Sequence, residues 1–168
     1  MTSAAAGLYR GRMDNAWNLP WTARCRCERL QMRVTAAPIV TMACHCAGCQ
    51  RMSASAYSLS VLLPADGFEV TAGETEIGGI HGPDRHFHCA HCKAWVFTRP
   101  SGMDAFVNVR ATMLDEHAWF VPFVETCRAE GFPWAQTGAT HSFPNIPPVE
   151  AFGPIVAEFA ANGARPTK

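Results

Sequence analysis

The sequence predicts a mainly β protein of short antiparallel strands closed by a C-terminal helix. Three observations predict it. Apolar residues alternate with polar ones in short runs from Arg24 to Arg110. Glycine and proline punctuate those runs at regular intervals. Seven of the eight cysteines fall in three tight groups, Cys25-x-Cys27, Cys44-x-Cys46-x-x-Cys49 and Cys89-x-x-Cys92, each at the edge of a predicted strand.

The elements follow in order. Residues 1–22 are a lead of small and polar residues, with Trp17 and Trp21 packed down on the surface of the domain. Leu30, Met32 and Val34 alternate with polar neighbours, a period of two. Ile39–Ala43 is a short buried strand leading into Cys44. Tyr57–Leu62 alternates again, and Phe68–Thr71 follows a turn at Pro64–Gly67. Arg85–His88 runs into Cys89, Ala94–Thr98 leaves Cys92, and Ala105–Val109 closes the series. From Leu114 the chain turns rich in proline and aromatics, which suits an irregular segment over a sheet face with one helical turn near Pro122–Arg128. Phe152, Ile155, Val156 and Phe159 fall at i, i+3, i+4 and i+7, one face of an amphipathic helix. The predicted organisation is a lead (1–23), a zinc-binding β domain (24–120), and a tail with its helix (121–168) packed on that domain.

Composition excludes several classes. The chain has 168 residues, enough for one domain, and 48% hydrophobic content supplies a core. Its formal net charge is zero, which gives no basic stripe for nucleic acid and no polybasic patch for a membrane. No apolar run approaches the ~18 residues of a membrane span, and the first residues lack the apolar core of a secretory signal. A cytoplasmic protein is expected, and in that compartment clustered cysteines mean metal more often than disulfide. Cys44, Cys46 and Cys49 crowd into six residues, which suits one ion better than three bridges.

By ligand count the cysteines make four plus three. Four thiolates close a tetrahedral zinc site, and three leave a position open for chemistry. Cys25, Cys27, Cys89 and Cys92 come from distant segments, so a shared Zn2+ would tie the first strand region to a late one. Such a site contributes about 10–16 kcal/mol in small finger peptides, against about 5–15 kcal/mol for a whole domain. Cys44, Cys46 and Cys49 could bind Zn2+ from one side if the backbone curls, with Gly48 free to adopt positive φ. Zinc there would deprotonate an incoming thiol or polarise a carbonyl. The competing reading makes a histidine the fourth ligand, because His45, His88 and His91 lie in or beside the knuckles. Side chains alternate along an extended Cys-x-Cys, which turns His45 away from the ion; His88 and His91 could instead donate to thiolates.

These motifs resemble the glutathione-dependent formaldehyde-activating enzyme (GFA) family, which includes centromere-protein-V-like proteins. The resemblance rests on Cys25-Arg-Cys27, on Cys44-His-Cys-Ala-Gly-Cys-Gln-Arg-Met-Ser-Ala-Ser55, and on Phe87-His-Cys-Ala-His-Cys92. It covers residues 24–120, with Lys93 where many members have glycine and His88 inserted before Cys89. The stretches Val109–Asp115 and His141–Pro144 resemble a bacterial subgroup of the family. The resemblance implies a β-tent fold, a structural zinc on Cys25, Cys27, Cys89 and Cys92, and a labile catalytic zinc on Cys44, Cys46 and Cys49. It further implies a carbon–sulfur lyase that joins formaldehyde and glutathione as S-hydroxymethylglutathione. The partner is then a small thiol or aldehyde. A zinc-binding module for protein interaction is the alternative, and a zinc buffer or redox sensor a third.

Four residues outside the clusters invite a role. Arg51 could steady the thiolates, meet a substrate carboxylate, or be a solvated loop residue. Arg110 could anchor an acidic substrate, although a strand-end pair with Asp115 is the ordinary expectation. His141 is expected packed and hydrogen-bonded. Cys127 is expected as a small buried hydrophobe.

Overall fold

The alternating runs become strands. The computed structural model describes residues 17–79 and 82–166. A three-stranded antiparallel sheet is ordered β1-β2-β5, from β1 (Trp21–Arg24), β2 (Gln31–Val34) and β5 (Phe68–Ala72). Trp21 and Ala23 of β1, and Met32 and Val34 of β2, point into the core while their neighbours face solvent. That is the period of two expected of a sheet with one buried face.

The larger sheet has eight strands in the order β11-β10-β3-β4-β9-β8-β7-β6. Its centre is β3 (Val40–Cys44), β4 (Ser58–Pro64) and β9 (Phe106–Arg110). One flank is β8 (Trp95–Arg99), β7 (Arg85–Cys89) and β6 (Thr75–Gly78). The other is β10 (Val124–Thr126) and β11 (His141–Ser142). All ladders of both sheets are antiparallel except β3–β10 and β10–β11, which are parallel.

Helix α1 (Ala47–Ser53) lies inside the central cysteine motif, and α2 (Val149–Asn162) closes the chain. The core is filled from both sheets by residues such as Leu30, Val61, Leu63, Val96 and Val107, all inaccessible to solvent. Ile155 and Phe159 seat α2 on it, as the stripe predicts. Phe159 stacks on Trp17 at 5.9 Å and meets Phe123 edge-on at 5.4 Å. Trp17 and Trp21 are thus core residues, and β1 begins inside the segment expected as a surface lead.

The tail differs from expectation. Val124–Thr126 is a strand rather than a helical turn, and a short 3-10 turn follows at Arg128–Glu130. The physical reason is β3, whose open edge takes Val124, Glu125 and Thr126 opposite Met42, Ala43 and Cys44. Among the described residues no helix is long and apolar enough to cross a membrane.

Candidate metal centres and the adjoining cavity

Two turns of the same construction carry the first set. Cys25 N donates to Leu30 O at 3.1 Å, and Glu28 N to Cys25 O at 2.9 Å. Cys89 N donates to Ala94 O at 2.9 Å, and Lys93 N to Cys89 O at 3.0 Å. In each turn the residue after the second cysteine is left-handed, Glu28 at φ 62° and Lys93 at φ 61°. That conformation favours glycine. Lys93 is held in it by its ammonium, which donates to Glu76 at 2.7 Å and to Ala90 O at 2.7 Å.

The two turns meet across the molecule. The sulfurs of Cys25, Cys27, Cys89 and Cys92 all lie within 4.8 Å of one another. Cys25 and Cys27 are 3.4 Å apart, and Cys27 and Cys89 3.9 Å. A tetrahedral zinc with ~2.3 Å bonds to sulfur needs edges of about 3.8 Å. The set therefore fits a closed zinc site.

The second set is held by α1 and β3. Cys44 ends β3, and Cys46 caps α1, its sulfur accepting from Cys49 N at 3.4 Å. The helix brings Cys49 back so that all three sulfurs lie within 4.8 Å of one another. Gly48 sits in ordinary helix; the left-handed residue is Ala54, at the helix end, at φ 49°. Both sets could hold a metal ion, and their all-sulfur donors suit zinc.

Without metal, each set shares protons unevenly. A hydrogen bond from the Cys49 thiol, aided by the Cys46 N–H and the Thr126 hydroxyl, outweighs desolvation and brings Cys44 down to about 5. Cys49 is pushed far up, first by its bond to Cys44 and then by desolvation. Desolvation and the nearby Cys44 charge raise Cys46. In the other set desolvation pushes Cys92 up, but backbone and thiol hydrogen bonds win and bring it to about 6. A backbone bond at Arg29 pulls Cys27 down, yet desolvation and its sulfur neighbours carry it to about 11. Each metal-free set thus combines a stabilised thiolate with thiols whose protons an ion must displace, which makes metal affinity pH-dependent.

His45 points away from this site, as the alternation predicts. It is fully buried, and its Nδ1 accepts from Arg128 Nη1 at 3.2 Å. An arginine can only donate, so the proton resides on Nε2, which donates to Glu125 Oε2 at 3.2 Å. Both ring nitrogens are engaged, which leaves no lone pair for an ion. Among the described residues no hydrogen bond joins His88 or His91 to a cysteine sulfur, and His88 Nδ1 is buried without a partner.

The remaining candidates sort clearly. Arg51 is exposed in the last turn of α1. His141 packs on Phe123 and donates to Glu158 at 2.8 Å. Cys127 is buried, but it is also a neighbour of the three-cysteine set. Desolvation, then the charges of Cys44 and Cys46, push it up to about 12. That neighbourhood comes from the β3–β10 ladder, where Thr126 pairs with Cys44; no sequence motif announces it.

Arg110 departs most from expectation. Asp115 pairs instead with Arg24 Nε at 2.7 Å and accepts from the Thr22 hydroxyl at 2.6 Å. Arg110 turns inward at the end of β9, only 8% exposed, with Ser58 and Trp95 against its guanidinium. Its guanidinium lies 4.0 Å from the Trp95 ring centroid. Burial draws Arg110 down to about 10 against the opposing pull of Cys49 and Cys44. Nη1 donates to Ser58 Oγ at 3.3 Å, and Ser58 stands opposite Cys44 in the β3–β4 ladder.

Beside this chain of contacts lies a cavity of about 350 Å³. Its wall includes Met52 of α1, Tyr57, Ser58, Trp95, Arg110 and Met113. It opens between the helix that carries Cys49 and the strand that leaves Cys92.

Fold and site together define a small β protein with two all-cysteine sets of metal-binding geometry. The sequence pattern of the glutathione-dependent formaldehyde-activating enzyme family matches residues 20–129, and the chain belongs to that family. A crystal structure of a Rhodobacter sphaeroides protein is similar at 14% identity and a TM-score of 0.48, over 56% of this chain and 87% of that one. No curated protein matches the sequence.

Proposed function

We propose that the protein makes or breaks a carbon–sulfur bond in an adduct of a small thiol and an aldehyde, of the S-hydroxymethylglutathione kind. The family supports glutathione and formaldehyde as the reactants. One observation carries the reading: four sulfurs gather in one set and three in the other. On this reading Cys25, Cys27, Cys89 and Cys92 hold a structural zinc, and Cys44, Cys46 and Cys49 hold a catalytic one. Zinc on three thiolates supplies a Lewis acid with one open position, which stabilises a thiolate or polarises a carbonyl.

The chain's own residues prepare that position. His45, clamped by Glu125 and Arg128, fixes the loop between Cys44 and Cys46 and stays out of the coordination sphere. Ser58, opposite Cys44 in the β3–β4 ladder, places a hydroxyl beside the three sulfurs. The cavity beside them, walled by Met52, Tyr57 and Trp95, gives the substrate a place next to the sulfurs. In the bond-forming direction the thiolate sulfur adds to the aldehyde carbon, and the carbonyl oxygen takes a proton from water. The reverse direction expels the thiolate. Residues 24–120 form the zinc-binding domain, with residues 121–168 packed on it, in a cytoplasmic protein.

Zinc per chain, before and after a mild chelator and glutathione, tests the partition. Two zincs are expected, one lost readily and one retained with the fold, together with glutathione–formaldehyde condensation faster than the uncatalysed rate. A protein that never takes more than one zinc on reconstitution overturns the reading. A second reading, a zinc-bearing interaction module, draws on the exposed Phe132–Trp134 stack, with ring centroids 5.5 Å apart. It is favoured if both zincs resist removal and no condensation is accelerated.

A further inference from the structure

A buried cation is costly unless a counter-charge meets it. Arg110 is nine-tenths buried, yet among the described residues no carboxylate lies within ion-pair distance of it. Its donors are mostly idle. A guanidinium has five N–H groups; here one meets Ser58 at 3.3 Å, one meets Asn108 O at 3.4 Å, and Nε is buried with no partner. Trp95 holds the plane from one face at 4.0 Å. The group is rigid, desolvated and incompletely satisfied, and it lines the cavity.

The rest of the lining does not oppose an anion. Ser53, Ser55, Tyr57 and Thr112 supply hydroxyls, no acidic residue is in the wall, and Lys93 there is paired with Glu76. The volume of about 350 Å³ falls within the range of small-molecule sites. The cavity also adjoins the sulfurs, because Arg110 donates to Ser58 and Ser58 pairs with Cys44 across the β3–β4 ladder.

We propose that Arg110 is the anion anchor of this cavity, holding a carboxylate of the substrate so that its sulfur or carbonyl end reaches the Cys44–Cys46–Cys49 set. The inference rests on the reading of that set as the reacting site. It assigns Arg110 as a specificity-determining residue and excludes uncharged thiols as good substrates. The rival role is a counter-charge that only balances the thiolates. That role predicts no preference between charged and neutral ligands.

The test uses zinc-loaded protein and two matched ligand pairs, 3-mercaptopropionate against its amide, and propionate against propionamide. Calorimetry or tryptophan fluorescence reads the dissociation constants. Each carboxylate should bind at least about tenfold more tightly than its amide, in keeping with hydrogen bonds to a charged group. R110M should abolish the preference, and R110K should keep part of it. Equal affinities within both pairs in the wild type overturn the anchor, as does a preference that survives in R110M. The propionate pair contains no sulfur. A preference there without any thiol chemistry upholds the anchor and counts against carbon–sulfur chemistry; condensation without any preference does the reverse.

Discussion

His45 and Glu125 face each other across the parallel pair of β3 and β10, with Nε2 donating to Oε2 at 3.2 Å. The same carboxylate accepts from the Thr137 and Ser142 hydroxyls, each at 2.8 Å. One buried acid thus ties the cysteine loop to β10 and to two later parts of the tail, at Thr137 and Ser142. The pairing makes the tail part of the site rather than a cover over it.

Glu125→Gln should lower stability at pH 7 by about 1–3 kcal/mol, because buried partners lose a charged acceptor. Desolvation raises Glu125, but hydrogen bonds from Thr137 and Ser142 and the charge of Arg128 outweigh it, so its folded pKa lies below 4.5. A depressed carboxylate contributes stability above its unfolded pKa and loses it as pH falls through the folded one. The gap between wild type and variant should therefore close as pH drops below about 4.5. Urea midpoints at pH 7, 5 and 3 would show it; a gap that stays constant counts against the assignment.

Cys89→Ser and Cys46→Ser should behave differently. The first removes a sulfur from the set that joins the β1–β2 turn to the β7–β8 turn, and should leave the chain unfolded at room temperature. The second should fold, with one zinc fewer and no condensation activity. Zinc content and circular dichroism on both variants decide the matter, and equal loss of structure would contradict the division of labour.

Phe159→Ala should destabilise by about 3–5 kcal/mol, the usual range for a large aromatic removed from a core. Phe159 is 1% exposed and contacts both Trp17 and Phe123, so its loss frees α2 from β10 as well as from the N-terminal segment. Thermal melting gives the stability, and faster proteolysis of residues 149–162 would locate the effect.

In protein stripped only of the labile ion at pH 7, an alkylating reagent should mark Cys44 first among the cysteines outside the four-sulfur set. Its pKa, about 5, keeps it as a thiolate. Cys127, pushed to about 12, should remain unmodified until the chain unfolds. Peptide mass spectrometry after brief exposure reads the order, and early labelling of Cys127 would contradict it.

The strands that carry local evidence were legible. Met32 and Val34 alternate, Val107 and Val109 alternate, and both pairs are buried as expected. The cysteine groups were legible because spacing within a turn limits where thiols can point. Other features depended on partners far away in the chain. Val124–Thr126 holds only three residues, with a glutamate at its centre, and nothing local says that His45 and Ser142 await that glutamate. Helix α1 buries none of its residues, so it has no apolar stripe to reveal it; the Cys46 cap starts it. Arg110 reads as a charged strand end, and only the packing of Trp95 and Ser58 turns it inward.

The position of β10 also sets an order of assembly during synthesis. The four-cysteine set is complete once Cys92 has left the ribosome. The loop around Cys44 is made earlier, yet it acquires its β10 neighbour, the Glu125 acceptor and the Arg128 donor more than thirty residues later than Cys92. A nascent chain can therefore close its first metal knot while the second still lacks its brace. Truncated chains ending near residue 120 would keep all seven clustered cysteines yet lack both the brace of the second site and the Phe123–Phe159 packing that closes the core.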